Sequence, residues 1–262
     1  MNRYETWCLK NKLLAFILHA LAFCGIATPV FILLEAPIVV IVILDLFLLF
    51  SAYSISCFSY AKAMKNAVAA FENCCPQAVY ELTEQIKPYV KKAELQQIII
   101  NQTSALYCMG RHEEMLQILE DMNIDRYAEL PLQYKIIYYN NLATAYELKG
   151  DVEKARAAFK KLRMLISDGG QKIKQQFFNQ LVETEIFEAK MAGDYKKALE
   201  LCLSRQNDKQ IQRVDNAYTA AELYFAMGDI ENARNQYSFV RVHGANTYMA
   251  DVAGKKLDEI GD

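Results

Sequence analysis

The sequence predicts an all-α protein in which a transmembrane helical hairpin, residues 1–60, precedes a cytoplasmic α-solenoid, residues 61–262. Two observations lead to this prediction. Residues 13–60 contain only three charged or histidine side chains, whereas the rest of the chain is rich in both signs of charge. Beyond residue 60, small and apolar residues recur at the spacing of a helix around four glycines. An apolar part therefore precedes a charge-balanced part built from repeated helices.

The first part contains two apolar runs, residues 13–34 and 38–60, that are each long enough to cross a membrane. In a helix either run covers about 33 Å, and the hydrocarbon core of a bilayer is about 30 Å thick. Only Glu35–Pro37 separates the runs, so the two helices are predicted to be antiparallel. A cleaved signal peptide is the alternative for the first run, but that run is long and a second one follows directly.

Charged residues beside the runs predict the orientation of the hairpin. Basic residues flank the outer ends of both runs, namely Arg3, Lys10, Lys12, Lys62 and Lys65. The turn between the runs offers only Glu35. Because basic flanks stay on the cytoplasmic side, we expect an integral, multi-pass protein of the cell membrane with both termini in the cytoplasm.

Asp45 is the one acidic or basic residue inside a span. At the centre of a membrane helix it costs about 3 kcal/mol, so it is a functional candidate. His19 is its natural partner, but the helical rise places the two about 9 Å apart along the hairpin. Gly25, Ile26 and Thr28 are level with Asp45 instead. We interpret these polar residues as partners in hydrogen bonds that join the two helices of the hairpin, or join copies of the hairpin. The alternative is a pathway for ions or protons.

The second part repeats one pattern around Gly110, Gly150, Gly193 and Gly228. Small or apolar residues, and Thr103 in the weakest copy, stand seven and four positions before each glycine and five and nine after it. A glycine can end one helix, and the Asp that follows three of the four can cap the next. The pattern therefore predicts four pairs of helices.

The clearest copy spans residues 141–159, and its order of small residue, aromatic residue, Gly, Ala and aromatic residue resembles the tetratricopeptide repeat family. The resemblance implies a solenoid that binds proteins or peptides. The glycines are 40, 43 and 35 residues apart, against about 34 in the family, which predicts insertions at 123–131 and 167–174. Residues 61–95 are predicted to form a degenerate first repeat, and residues 246–260 a capping helix.

In this family, ligands lie along a concave groove lined by the first helix of each repeat. Carrying those positions over predicts a partner-binding groove of Asn101, Ser104, Tyr107, Asn140, Asn141, Thr144, Glu147, Glu183, Phe187, Tyr218, Glu222 and Phe225. Ile100, Gln180 and Thr184 stand where some relatives have the basic residues that clamp a C-terminal carboxylate, so such a clamp is not expected.

The charges of the groove predict the chemistry of its partner. Glu147, Glu183, Asp215 and Glu222 are offset only by Lys190. Because a cleft of one sign attracts the other, we expect a protein or peptide with basic and large apolar residues. The alternative is that these side chains are merely solvated.

The composition limits the remaining possibilities. With 29 basic and 31 acidic residues, the chain lacks the basic surplus of a nucleic-acid-binding protein. Seven irregularly spaced cysteines indicate a reducing compartment. Cys74 and Cys75 are interpreted as small residues at a helix junction, with a redox or metal site as the alternative.

No catalytic, cofactor or metal motif is recognised in the sequence. His112-Glu113-Glu114 lacks the second histidine of a zinc-protease helix. We therefore expect a non-enzymatic, membrane-anchored scaffold or adaptor that docks a protein or peptide at the cytoplasmic membrane face, without a cofactor. The alternative is an accessory subunit of a membrane transport or secretion complex, in which the hairpin with Asp45 and His19 carries the function. Homo- or hetero-oligomers that form through the hairpin are compatible with either function.

Overall fold

The computed structural model describes residues 7–8, 10–34, 37–122 and 124–261, and it confirms the all-α fold class. No strand occurs among these residues; besides α-helices they form two short 3₁₀ segments, Lys87–Tyr89 and Ile124–Arg126. The α-helices, in chain order, are α1 (Lys12–Leu33), α2 (Ile38–Glu72), α3 (Pro76–Ile86), α4 (Lys92–Cys108), α5 (His112–Asp121), α6 (Leu132–Lys149), α7 (Val152–Asp168), α8 (Gly170–Gln176), α9 (Phe178–Met191), α10 (Tyr195–Leu203), α11 (Gln210–Ala226), α12 (Ile230–His243) and α13 (Tyr248–Ile260).

The chain divides into two compact units. The first comprises the residues before Val68 together with Leu82–Val90, and the second comprises Val68–Glu81 and the residues from Lys91 onward. Residues 61–67, assigned by the sequence to the soluble part, thus group with the first unit. Their helix α2 contains neither Gly nor Pro, so nothing in the sequence interrupts it near residue 60.

In the first unit, α1 and α2 contact each other through side chains. The hydroxyl of Thr28 donates a hydrogen bond to Asp45 Oδ1 at 2.8 Å, as their levels along the two runs predict. The rings of Phe16 and Tyr53 meet edge to face with centroids 6.4 Å apart. The partner of Asp45 at this level is therefore Thr28, while His19 is partly buried on α1.

Within the described residues, Leu13–Leu33 is the one helical stretch long and apolar enough to cross a membrane. A shorter apolar stretch follows at Ile38–Ser51. The side chains of residues 52 and 54–60, which complete the second predicted span, lie outside the described residues, as do Glu35 and Ala36 of the predicted turn.

In the second unit, all four repeat glycines end helices as predicted. Gly110, Gly150, Gly193 and Gly228 have φ of 72°, 80°, 73° and 77°. This left-handed conformation costs other residues about 1–2 kcal/mol, which explains the choice of glycine. The side chains of Asp151, Asp194 and Asp229 then accept hydrogen bonds from backbone N–H groups three residues later.

The repeated offsets mark the core of each helix pair. Fourteen of the sixteen side chains at these offsets are buried, and only Tyr146 and Tyr224 are partly exposed. Ala143 and Ala155 are fully buried, so their helices α6 and α7 approach closely. Beside them Phe159 packs on Phe187 of the following pair, with ring centroids 4.8 Å apart.

Extra structure occupies the two intervals where insertions are predicted. The first contains the 3₁₀ segment Ile124–Arg126, and the second contains the start of α8. The helix predicted over residues 246–260 is present as α13, which packs against α11 and α12.

Candidate functional site

Charged and polar side chains, most of them from the predicted groove, form two bonded groups in the second unit, which we together name the polar network. Its members are Tyr107, Glu147, Glu183, Lys190, Arg205 and Asp215. Lys190 Nζ lies 2.5 Å from Glu147 Oε1, which links α9 to α6. The two side chains are 35% and 17% exposed, so this ion pair is screened only in part by water. First helices of successive pairs thus present charges to each other.

Arg205 is the member of the network that was not predicted from the sequence. It follows α10, is only 6% exposed, and forms ion pairs with Glu183 and with Asp215. Its Nη1 also donates a hydrogen bond to Asn216 Oδ1 at 3.1 Å. Burial lowers the pKa of Arg205, and Asp215 opposes that shift. Because a guanidinium titrates so far above neutral pH, it keeps its charge.

Tyr107 connects the first Gly-centred pair to the last. Its hydroxyl, on α4, donates a hydrogen bond to Asp215 Oδ1 on α11 at 3.2 Å. Burial, reinforced by the charge of Asp215, raises the pKa of Tyr107 well above its ordinary value. The hydroxyl is therefore protonated and remains a donor throughout the neutral pH range.

A cluster of rings adjoins the network and joins α13 to the first pair; we name it the closing cluster, comprising Tyr107, His112, Tyr218 and Tyr248. The ring centroid of Tyr248 lies 5.6 Å from that of Tyr107, 4.8 Å from His112 and 5.9 Å from Tyr218. Burial lowers the pKa of His112, so its imidazole is neutral at pH 7. Both ends of the row of helix pairs therefore contact each other.

The fourth predicted carboxylate lies outside the network. Glu222 Oε1 accepts a hydrogen bond from the hydroxyl of Tyr237 at 2.5 Å. Burial and this bond raise the pKa of Tyr237. Each of the four acidic groove residues is thus bonded to a donor within the chain, and Arg205 as well as Lys190 offsets their charge.

The other predicted groove residues have mixed surroundings. Asn141 is buried, and its Nδ2 donates hydrogen bonds to the hydroxyls of Thr103 and Ser104 at 2.9 and 2.8 Å. Asn141 and Ser104 therefore hold α6 to α4. Phe187 is 1% exposed and belongs to the core, whereas Phe225 is 39% exposed with Lys256 Nζ 5.2 Å above its ring.

The remaining polar positions of the groove are partly buried. The hydroxyl of Thr144 donates to the carbonyl of Asn140 one turn earlier at 3.0 Å, so it bonds locally. Asn101 lies on α4 and Tyr218 in the closing cluster, each partly exposed. The structure thus places Glu147, Glu183 and Asp215 beside basic side chains of the network and leaves Glu222 outside it. Several uncharged groove residues form contacts between helices instead.

The described residues hold no group of side chains suited to a metal ion. Burial raises the pKa of Cys74 to about 11 and that of Cys202 to about 12. Because the thiolate is the reactive form, these thiols are poor nucleophiles at neutral pH. The network itself consists of charged groups and hydrogen-bond donors and acceptors.

Compared with known proteins, the chain matches no protein-family model and no curated protein. The resemblance to the tetratricopeptide repeat family, which depends on the offsets around the four glycines, stays a prediction.

Proposed function

We propose that the protein is a non-enzymatic, membrane-anchored scaffold whose second unit is a tetratricopeptide-like α-solenoid that docks a protein or peptide at the cytoplasmic face of the cell membrane. One observation carries the proposal: four consecutive helix pairs bury the same offsets around their turn glycines. Arrays of this kind are stabilised mainly by neighbouring pairs, and they offer extended surfaces for partners.

Contacts in the first unit support an antiparallel transmembrane hairpin as the anchor. Thr28 and Asp45 lie close to the connection between α1 and α2, and Phe16 and Tyr53 lie farther from it. In an antiparallel pair, residues near the connection contact each other and residues far from the connection contact each other, as these two pairs do. Within a bilayer the hydrogen bond from Thr28 offsets part of the free-energy cost of burying the Asp45 carboxylate.

The groove partner we propose carries basic and large apolar residues. Glu147 and Glu183 remain 17% and 25% exposed, so a partner can reach them. Its cations compete with Lys190 and Arg205 for the same carboxylates, which favours a partner with several basic groups. Tyr218 and Phe225, both on α11, offer apolar contact area to the same partner.

Affinity capture with mass spectrometry tests the scaffold. Full-length protein in detergent is expected to retain a specific partner, and removal of residues 1–60 to leave that capture intact. Glu147→Gln with Glu222→Gln should weaken capture and flatten its salt dependence, because screening acts on charges. Glu153→Gln, on the exposed side of α7, is the matched control. Equal loss with both sets of variants would place the partner elsewhere.

An accessory subunit of a membrane complex is the second candidate, because Asp45 is a carboxylate in an apolar helix and bonds to a neighbouring helix. In that case the hairpin binds other membrane segments. Asp45→Asn would then abolish copurification of a membrane complex, while the truncation of residues 1–60 would remove every partner.

A further inference from the structure

A cleft of about 230 Å³ lies between α10 and α12, with α11 as its floor. It is lined by residues that include Leu203, Asn207, Arg213, Asn216, Gln236 and Phe239. Asn216 also accepts a hydrogen bond from Arg205 of the polar network, so the cleft adjoins the network at this residue. None of the predicted groove residues lines this cleft, so it is a separate surface.

Apolar side chains at the cleft are exposed to solvent. Leu203 at the end of α10 is 61% exposed, and Phe239 on α12 is 36% exposed. Val242, three residues after Phe239 and hence on the same side of α12, is 73% exposed. Adjacent exposed apolar residues of this kind mark sites of interaction, whereas single ones need no explanation.

The charge at the cleft is positive. Arg213 is exposed, and its guanidinium has no ion pair or hydrogen bond to the residues that the structure describes. The neighbouring cation Lys209 differs, because its Nζ lies 2.6 Å from Glu72 Oε1. Arg213 is thus available to a carboxylate from another molecule, and guanidinium binds carboxylates with two parallel hydrogen bonds.

The size of the cleft selects the kind of ligand. Small-molecule and cofactor sites usually measure about 300–1,000 Å³, so this cleft is smaller. It has room for side chains of a peptide. We propose that the cleft docks an acidic peptide segment of a protein partner, with a carboxylate on Arg213 and a large apolar side chain between Leu203 and Phe239. This surface goes beyond the proposed groove and does not depend on it.

A designed peptide tests the proposal with the full chain in detergent micelles. The probe is a short fluorescein-labelled peptide of alternating Glu and Phe, its twin has Lys in place of Glu, and empty micelles give the background. The chain is expected to bind the Glu peptide and not the Lys twin. Arg213→Glu should weaken binding about tenfold, because an exposed ion pair is lost and a like charge replaces it. Leu203→Ser should weaken it about fivefold through lost apolar contact.

Two variants control for general effects on the surface. Arg126→Glu reverses an exposed charge outside the cleft, and Leu148→Ser removes an apolar side chain that is 46% exposed on α6. Both are expected to bind the Glu peptide like the unaltered chain. Absence of binding, equal binding of the Lys twin, or equal loss in Arg126→Glu and Arg213→Glu would overturn the proposal. Because the positions are exposed, folding is expected to persist, and circular dichroism checks it.

Discussion

Tyr248 stands directly against Gly110, so closely that a Cβ added to Gly110 would lie 2.9 Å from the Cβ of Tyr248. Gly110 ends α4 in the first Gly-centred pair, and Tyr248 begins α13 at the far end of the chain. The contact therefore closes the row of helix pairs upon itself. In an open array a terminal helix packs only on the helix pair before it. Here α13 packs on the last helix pair and also contacts the first pair.

Gly110→Ala should destabilise the protein more than Gly150→Ala does. Both glycines have positive φ, so either alanine costs about 1–2 kcal/mol. Only at Gly110 does the added methyl meet another residue, which adds about 1–3 kcal/mol of overpacking. Urea unfolding of the two variants measures the difference. Equal free energies of unfolding would contradict the contact with Tyr248.

Arg205→Ala should lower the free energy of unfolding by about 1–3 kcal/mol. It leaves Glu183 and Asp215 without their shared cation, and because these carboxylates are 25% and 36% exposed, water compensates in part. Arg156 is the matched control, since it also bridges two carboxylates but is 43% exposed. Arg156→Ala is expected to cost less than about 1 kcal/mol. A comparable loss in both variants would show that Arg205 has no special role.

Stability should fall at alkaline pH through the buried tyrosines. Burial raises the pKa of Tyr107 well above its ordinary value and that of Tyr218 to about 12. Between about pH 10 and 12 the unfolded chain releases tyrosine protons that the folded chain keeps, so these tyrosines lower the free energy of unfolding there and add no slope below about pH 9. Urea unfolding across this range measures the slope.

Tyr107→Phe separates this effect from general alkaline damage. The variant lacks one proton that folding retains, so its slope between about pH 10 and 12 should be shallower. At neutral pH it loses the bond to Asp215, which costs about 1 kcal/mol. Identical slopes for the variant and the unaltered chain would exclude Tyr107 as a source of the pH dependence.

The proposed topology predicts which sites are reached from outside the cell. A reporter fused after Asp262 should be active in the cytoplasm. In a cysteine-free background, single cysteines at Glu35 or Pro37 should react with an impermeant maleimide, and a cysteine at Lys172 should not. Lys172 is exposed on α8, so protection there reports the membrane rather than burial. Labelling of Lys172→Cys from outside would reverse the proposed orientation.

Local features of the structure were predictable because their causes are local. Each turn glycine and the Asp that follows it act on backbone groups within four residues, and their spacing shows directly in the sequence. The same holds for the buried offsets, since side chains on one face of a helix recur with its period. Even the bond between Thr28 and Asp45 follows from counting residues away from a short connection.

The candidate site could be predicted only in part. Its carboxylates were found because they recur on first helices, but Arg205 lies after α10, where no helical period assigns a direction to its side chain. Asn141 shows the converse: its position suggested a groove, while its hydrogen bonds hold two helices together.

By itself, then, the sequence determined the helix pairs, their turns and the faces they bury. Tertiary structure decided that Arg205 meets Glu183 and Asp215, and that Tyr248 meets Gly110. The physical reason is that small angles between successive helix pairs accumulate along an array. Whether the two ends of the array meet depends on the sum of these angles and on the extra elements between pairs. That sum cannot be read from any single stretch of the sequence.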